Sequence, residues 1–457
     1  MRVRNSITAV ICLCALYGAS LPGTIDVRAQ QSGGGAAAQQ SGGARPAVTY
    51  AIRNARIVTA SGPEIENGTL VIRDGKIEAV GPGVSIPPGA QEIDARGLSV
   101  YPGMMDAGTS LGLTEIDGGA PGTVDIGEVG DMNPNAAAIN AVNPHSAHVN
   151  VTRANGITSV VTMPLGGIIS GQAAIINLDG STVPEMAIVP SAALVVEFPR
   201  AATSTDDGSY FEPPTEVPIT EAVTTRDRQI ERLRKLLRDA EAYGRAQDAY
   251  ARDQKLPRPA QSVVLASLVP FVRGERPVLF RADRELEIRA AVRFADELHL
   301  RAVILGGGEA WKAAPLLKER GVPVIVTGVL DLPSLEDDYY DVLYANPAKL
   351  QQAGVRFCIS SGSTGSAVRN LPYHAGMAAA FGLPREEALR AVTLYPAQIM
   401  GVADRFGSIE TGKVANLAIT DGDLLDARTH VRYLFINGRQ VPLTSRHTEL
   451  YDQFKNR

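Results

Sequence analysis

Cysteine is nearly absent from this chain of 457 residues, with only Cys12, Cys14 and Cys358 present. That scarcity excludes both a disulfide framework and a thiolate metal cluster. Histidine is almost as rare, six residues in all, so any imidazole-based metal centre must be assembled from very few candidates. Long apolar runs are missing too. The stretch from Ile7 to Tyr17 is too short to span a bilayer. There is no excess of positive charge: the net charge is −5, which gives no basic face for nucleic acid.

What is present is core-forming material, with 45% hydrophobic residues over a length sufficient for a large barrel and a smaller domain. The start, Met1-Arg2-Val3-Arg4 followed by the short apolar run, reads as a secretory signal peptide over residues 1–29, and predicts an exported, periplasmic or extracellular protein. Removal of that leader leaves Cys358 as a lone, buried strand cysteine. Residues 30–47 are a Gly/Ala/Gln/Ser-rich flexible linker.

From Val48 to Leu98 short alternating strands are broken by Asn67-Gly68, Asp74-Gly75 and Pro82-Gly83, and Asp74-Gly75 is a strong hairpin signal. The same strand style returns in Ala415–Thr420 and Val431–Ile436. Two β-rich segments, 48–98 and 402–443, thus predict a composite β-sandwich domain built from both ends. Between them, residues 99–401 alternate apolar strands with helical patterns. Seven strands stand out: Ser99–Asp106, Ile157–Pro164, Ala187–Val195, Val278–Ala282, Ala302–Gly306, Pro323–Gly328 and Val355–Ser361. An eighth is inferred around residues 168–178, so the α/β middle is expected to close as a (β/α)8 TIM barrel. A helical insertion at about 200–260 carries Ile230, Leu233, Leu237, Ala240 and Tyr243 at helical spacing. This stripe is expected to pack on the barrel's flank, the alternative being a partner.

Three further segments carry a resemblance. They are Tyr101-Pro102-Gly103-Met104-Met105-Asp106, Gly156-Ile157-Thr158-Ser159-Val160, and Gly407-Ser408-Ile409-Glu410-Thr411-Gly412-Lys413-Val414-Ala415-Asn416-Leu417. With the preceding Ala388–Ala397 helix, they make the chain similar to the amidohydrolase superfamily, in its imidazolonepropionase-related group. That resemblance implies hydrolysis of non-peptide carbon–nitrogen bonds by one or two divalent metals, zinc or another. First-strand histidines, a fourth-strand lysine or glutamate, histidines on strands five and six, and an eighth-strand aspartate would serve the metal and its water.

Carried over position by position, the ligand set is largely replaced. Gly108 and Ser110 stand where the first-strand histidines would be, Arg281 at the fifth-strand ligand, and Gly306–Gly308 at the sixth. The eighth-strand phrase Cys358-Ile359-Ser360-Ser361-Gly362-Ser363 ends without an aspartate. The fourth-strand ligand has no clear counterpart. Arginine does not lose its proton at working pH, so Arg281 repels a metal rather than binding one. No metal ligand and no cofactor is therefore assigned. Arg281 is instead expected to fill the vacated space beside Asp106, with Asp283 and Glu309 as alternative partners and spare donors for a carboxylate or carbonyl. Ser360, Ser361 and His374 complete the ligand-binding candidates; a Ser–His pair is conceivable, but no third orienting group is evident. The loop from Gly166 to Gln172 is a candidate lid or second ligand loop.

Three readings stay open. One is a pseudoenzyme that binds a small polar or anionic molecule, a second copy or a catalytic paralogue. The others are a metal-free hydrolase of cyclic amides or N-acyl amino acids, and a structural subunit. None calls for nucleic acid or a membrane span.

Overall fold

A computed structural model describes residues 48–116, 120–205, 215–333, 337–362 and 364–457. The leader expected over 1–29 and the whole of the linker over 30–47 lie outside these residues, as does Ser363.

The first sheet starts with β1 (Tyr50–Ile57), β2 (Ile65–Arg73), β3 (Lys76–Gly81), β4 (Gln91–Asp94) and β5 (Ser99–Pro102). Asp74 and Gly75 both take positive φ, 51° and 79°, the geometry that a two-residue hairpin between right-twisted strands demands. β1 pairs with β2 along one edge and with β4 then β5 along the other. Its apolar face, including Ile52, Ile57, Leu70, Ile72 and Val100, is buried.

The barrel follows. Its strands are β6 (Met104–Thr109), β7 (Ile157–Thr162), β8 (Ile169–Asn177) and β9 (Ala187–Glu197), with α1 (Ala147–Arg153) before β7 and the short α2 (Val183–Met186) before β9. Next come the two-residue pair β10 (Ser204–Thr205) and β11 (Thr215–Glu216), then α3 (Ile219–Arg252) and α4 (Val263–Val272). Regular alternation resumes with β12 (Val278–Ala282), α5 (Glu285–Glu297), β13 (Ala302–Gly306), α6 (Ala314–Arg320), β14 (Val324–Val326), α7 (Val342–Ala353) and β15 (Phe357–Ile359). Three helices, α8 (Leu371–Ala380), α9 (Arg385–Arg390) and α10 (Leu394–Ile399), lead back to the first sheet. There β16 (Leu417–Thr420), β17 (Val431–Ile436) and β18 (Arg439–Val441) complete it, β16 lying antiparallel to β5, before the terminal α11 (Arg446–Phe454).

The eight barrel strands run in sequence order from β6 to β15, leaving out the β10–β11 pair, and the inferred eighth strand is β8. One departure from an all-parallel barrel is clear. β8 is antiparallel to both β7 and β9. The connection over residues 163–168 is far shorter than the dozen or so residues a parallel crossover needs, so the chain turns back as a hairpin. Inside the barrel an apolar layer containing Met105, Ala107, Val161, Met163, Leu279, Leu305, Ile325 and Cys358 fills the interior. On the outside, Leu233, Leu237 and Ala240 of α3 are buried in the main core, so the helical stripe packs on this chain's own barrel.

Candidate functional site

The strand C-terminal ends define the mouth, where barrels assemble their chemistry. At the end of β6 the register with β7 slips between Asp106 and Thr109, so the backbone bulges there. Asp106 is fully buried in this bulge and accepts a hydrogen bond from the Gly108 N–H at 3.1 Å. The Ser360 hydroxyl lies 2.5 Å from Asp106 Oδ1 and 3.0 Å from the Gly108 carbonyl oxygen. On Oδ2, the Ser361 N–H donates at 3.1 Å and the Ser361 hydroxyl donates as well. Burial pushes the Asp106 carboxyl above its ordinary value, while these donors pull the other way. Burial likewise pushes the neighbouring Cys358 thiol well up, with the Asp106 charge adding to it.

The former ligand positions are occupied by packing. A Cβ on Gly108 would lie 3.1 Å from Leu305 Cδ1, 3.2 Å from Ser360 Oγ and 3.6 Å from Met163 Cε. Ser110 is buried in a turn where its carbonyl accepts from the Leu113 N–H at 2.9 Å. At Gly306, which has φ 106°, a Cβ would fall 2.5 Å from Asp283 Oδ1, so the Asp283 carboxylate holds the space beside the sixth-strand position. A divalent metal of the kind the family implies does not fit these residues. Among the described residues no group of three or more His, Cys, Asp or Glu is arranged to hold one.

Arg281 departs from the expectation. Its Nε donates to Glu197 Oε1 at 2.7 Å, not to Asp106. The reason is register: Arg281 and Glu197 stand side by side on β12 and β9, whereas the Asp106 oxygens already have their donors across the β6–β15 closure. Neither terminal amino group of Arg281 has a hydrogen-bond partner among the described residues. Asp283, next along at the rim, accepts from the Gly308 N–H at 3.3 Å. Its carboxyl is raised by desolvation, which that bond and the Arg281 charge only partly offset.

The other candidates are committed elsewhere. Glu309 accepts from the Glu285 N–H at 2.8 Å, at the start of α5, and pairs with Lys312 at 2.7 Å. Burial alone would raise its carboxyl, but Lys312 and that N–H hold it below the ordinary value. It caps a helix and presents no spare oxygen to a ligand. His374 is buried on α8 with Nδ1 unpaired, and desolvation lowers it to about 4. Because the Ser360 and Ser361 hydroxyls are engaged with Asp106, the conceivable Ser–His pair does not form.

Sequence reasoning missed the strap over residues 120–146. Ile126 and Asp131 offer carbonyls to the N–H groups of Leu165 and Ile168 at 2.6 and 2.7 Å, and Gln172 N–H reaches Ala136 O at 2.8 Å. Met132 and Ala137 form bridges to Ile169 and Gln172, the part of β8 that extends beyond its pairing with β7. The glycine-rich loop expected as a lid is this hairpin: Gly166 and Gly167 have φ 92° and 68°, and a Cβ on Gly167 would fall 2.9 Å from Asp131 O. The strap clamps it in place. Glu197 was missed as well, although a lone carboxylate ending an apolar strand was a visible signal.

Residues 362–442 match the Amidohydrolase family. A crystal structure of an amidohydrolase from Thermotoga maritima superposes with a TM-score of 0.75 at 24% identity, covering 86% of this chain and 99% of that one. The chain is thus similar to amidohydrolases in sequence over that C-terminal segment, and shares the fold of the Thermotoga maritima structure over most of its length. No narrower group, the imidazolonepropionase-related one included, is singled out. Two curated relatives align over short segments only. An N-acetylglucosamine-6-phosphate deacetylase from Haemophilus influenzae is 54% identical over 37 residues, 8% of this chain and 10% of that protein. An allantoinase from Solibacter usitatus is 37% identical over 75 residues, 16% of each chain. The fold shared with the Thermotoga maritima structure thus surrounds a mouth in which the Gly108 and Gly306 positions are closely packed.

Proposed function

We propose that this amidohydrolase-fold protein is a pseudoenzyme that acts by binding a small polar or anionic molecule, and that it does so after export. One observation carries the reading: Asp106 is fully buried with its oxygens held by Ser360, Ser361 and Gly108, while Leu305 and Met163 pack where a first-strand ligand would project. The Asp106 carboxylate is thereby not free to activate water. Arg281 supports the binding half, since its terminal N–H groups suit a carboxylate or carbonyl at the rim. A protein partner such as a catalytic paralogue is a second reading, favoured by Leu286, Leu332, Tyr339 and Tyr340, which stand exposed on segments that follow β12 and β14.

The test joins elemental analysis of protein purified without chelator to hydrolysis assays on cyclic amides, allantoin, N-acetylglucosamine 6-phosphate and N-acyl amino acids. Less than a tenth of an equivalent of zinc, iron or manganese and no turnover are expected. A full equivalent of metal, or turnover that disappears in Arg281→Met or Ser361→Ala, would overturn the reading.

A further inference from the structure

A second site lies away from the mouth, in a cavity of about 350 Å³ between the first sheet and α9. That volume falls in the range of small-molecule sites, roughly 300–1,000 Å³, which favour junctions between structural units. Val58, Leu389 and Leu425 give it an apolar lining, and Arg56, Arg385 and Tyr101 give it polar ones.

The hydrogen-bond inventory shows which polarity is unspent. Arg56 clasps both oxygens of Glu64, at 2.9 and 2.8 Å, and its remaining amino group reaches the Tyr101 hydroxyl at 3.5 Å. Arg390 donates to the Ala60 carbonyl at 3.0 Å and to Glu387 at 2.7 Å. Asp423 receives Arg385 Nε at 2.5 Å on one oxygen and the Leu425 N–H at 2.9 Å on the other. Arg385 differs from its neighbours. Only its Nε is engaged, and both terminal amino groups lack a partner among the described residues. Glu386 also lines the cavity but is largely exposed and lies 3.7 Å from Arg390, so the spare donors beside the apolar surface are those of Arg385.

Backbone strain marks the same place. Ala60 is nearly buried yet takes φ 63°, the left-handed region that a Cβ disfavours. Arg390 holds its carbonyl in that conformation, and the Thr59 hydroxyl bonds to Gly62 at both its N–H (3.0 Å) and its carbonyl (2.9 Å). Strain of this kind persists where the surroundings over-determine it, as in ligand clamps.

We propose that this cavity binds a small monocarboxylate with an aliphatic or aromatic body, the Arg385 fork taking the carboxylate and Val58, Leu389 and Leu425 the body. The reading is independent of the proposed function at the mouth.

Calorimetric titration of the full chain with 4-phenylbutanoate, its amide and 4-phenylbutylamine tests it. The acid should bind at least about tenfold more tightly than the amide or the amine. Arg385→Met should bring acid and amide to the same weak level, while Arg245→Met, at an exposed ion pair of α3, leaves acid binding unchanged. Arg385 is half exposed with a single ion pair, so its replacement leaves the fold intact, which a melting curve verifies. Failure of the acid to bind, an acid no better than its amide, or a preference that survives Arg385→Met would overturn the proposal. So would a loss confined to Arg281→Met, which would move the ligand to the barrel mouth.

Discussion

Ser361 serves Asp106 twice, through its backbone N–H at 3.1 Å and through its hydroxyl, from the far end of the barrel sheet. With Ser360 on the other oxygen, this contact ties β6 to the end of β15 where the two edge strands meet without a continuous ladder. The Asp106 carboxylate is thereby part of the barrel's closure.

Asp106→Ala should therefore act on stability. It strands the Ser361 and Gly108 N–H groups and two hydroxyls in a dry interior, at a cost of about 3 kcal/mol. Denaturant unfolding measures it, and a loss below about 1 kcal/mol would mean that the closure does not depend on the carboxylate.

The pH dependence has two opposing parts. His374 is lowered to about 4 by burial, so between about pH 6.5 and 4 the unfolded chain binds more protons and stability falls as pH falls. The total is about 3 kcal/mol. Asp106 is raised by burial, so its contribution is present below the ordinary carboxylate range and is lost as pH rises through its folded value. His374→Leu should flatten the decline between pH 6.5 and 4. An unchanged slope in that variant would show that the imidazole is not the group responsible.

Gly108→His supplies an imidazole at the end of β6 without supplying a metal site. Its Cβ would press on Leu305 and Ser360, so the variant should lose about 2 kcal/mol. It should gain no thermal shift from zinc at micromolar concentrations; a clear zinc-dependent rise in melting temperature would contradict the filled-site description.

Leu233→Asp places a charge in the core under α3, where Leu233 is fully buried. The melting temperature should fall by roughly 6–10 °C with the elution volume in gel filtration unchanged. Dissociation of an oligomer without destabilisation would instead assign the stripe to a partner.

Much of this was legible in the residues. Asp74-Gly75 announced its hairpin, the apolar runs located the barrel strands, and Gly108 and Arg281 showed that imidazole ligands were missing. Direction was not legible, because a period-2 pattern reads the same both ways along a strand. Only the brevity of residues 163–168 betrayed the reversal of β8. The partner of Arg281 escaped for a related reason. The strand predicted over Ala187–Val195 ends two residues short of Glu197, and only the strand pairing sets Glu197 opposite Arg281. The strap was invisible because its hold on β8 is almost entirely backbone, and backbone hydrogen bonds leave no mark on residue type.

The antiparallel pairing of β5 with β16 also orders events during synthesis. Tyr101 faces Ala418 across that ladder, so the first sheet keeps an unsatisfied edge while the entire barrel is being translated. An emerging chain exposes β1 to β5 long before the strands that complete them exist. Ribosome-bound chains stalled before β16 are consequently the species in which this protein is most open to chaperones and to misassembly.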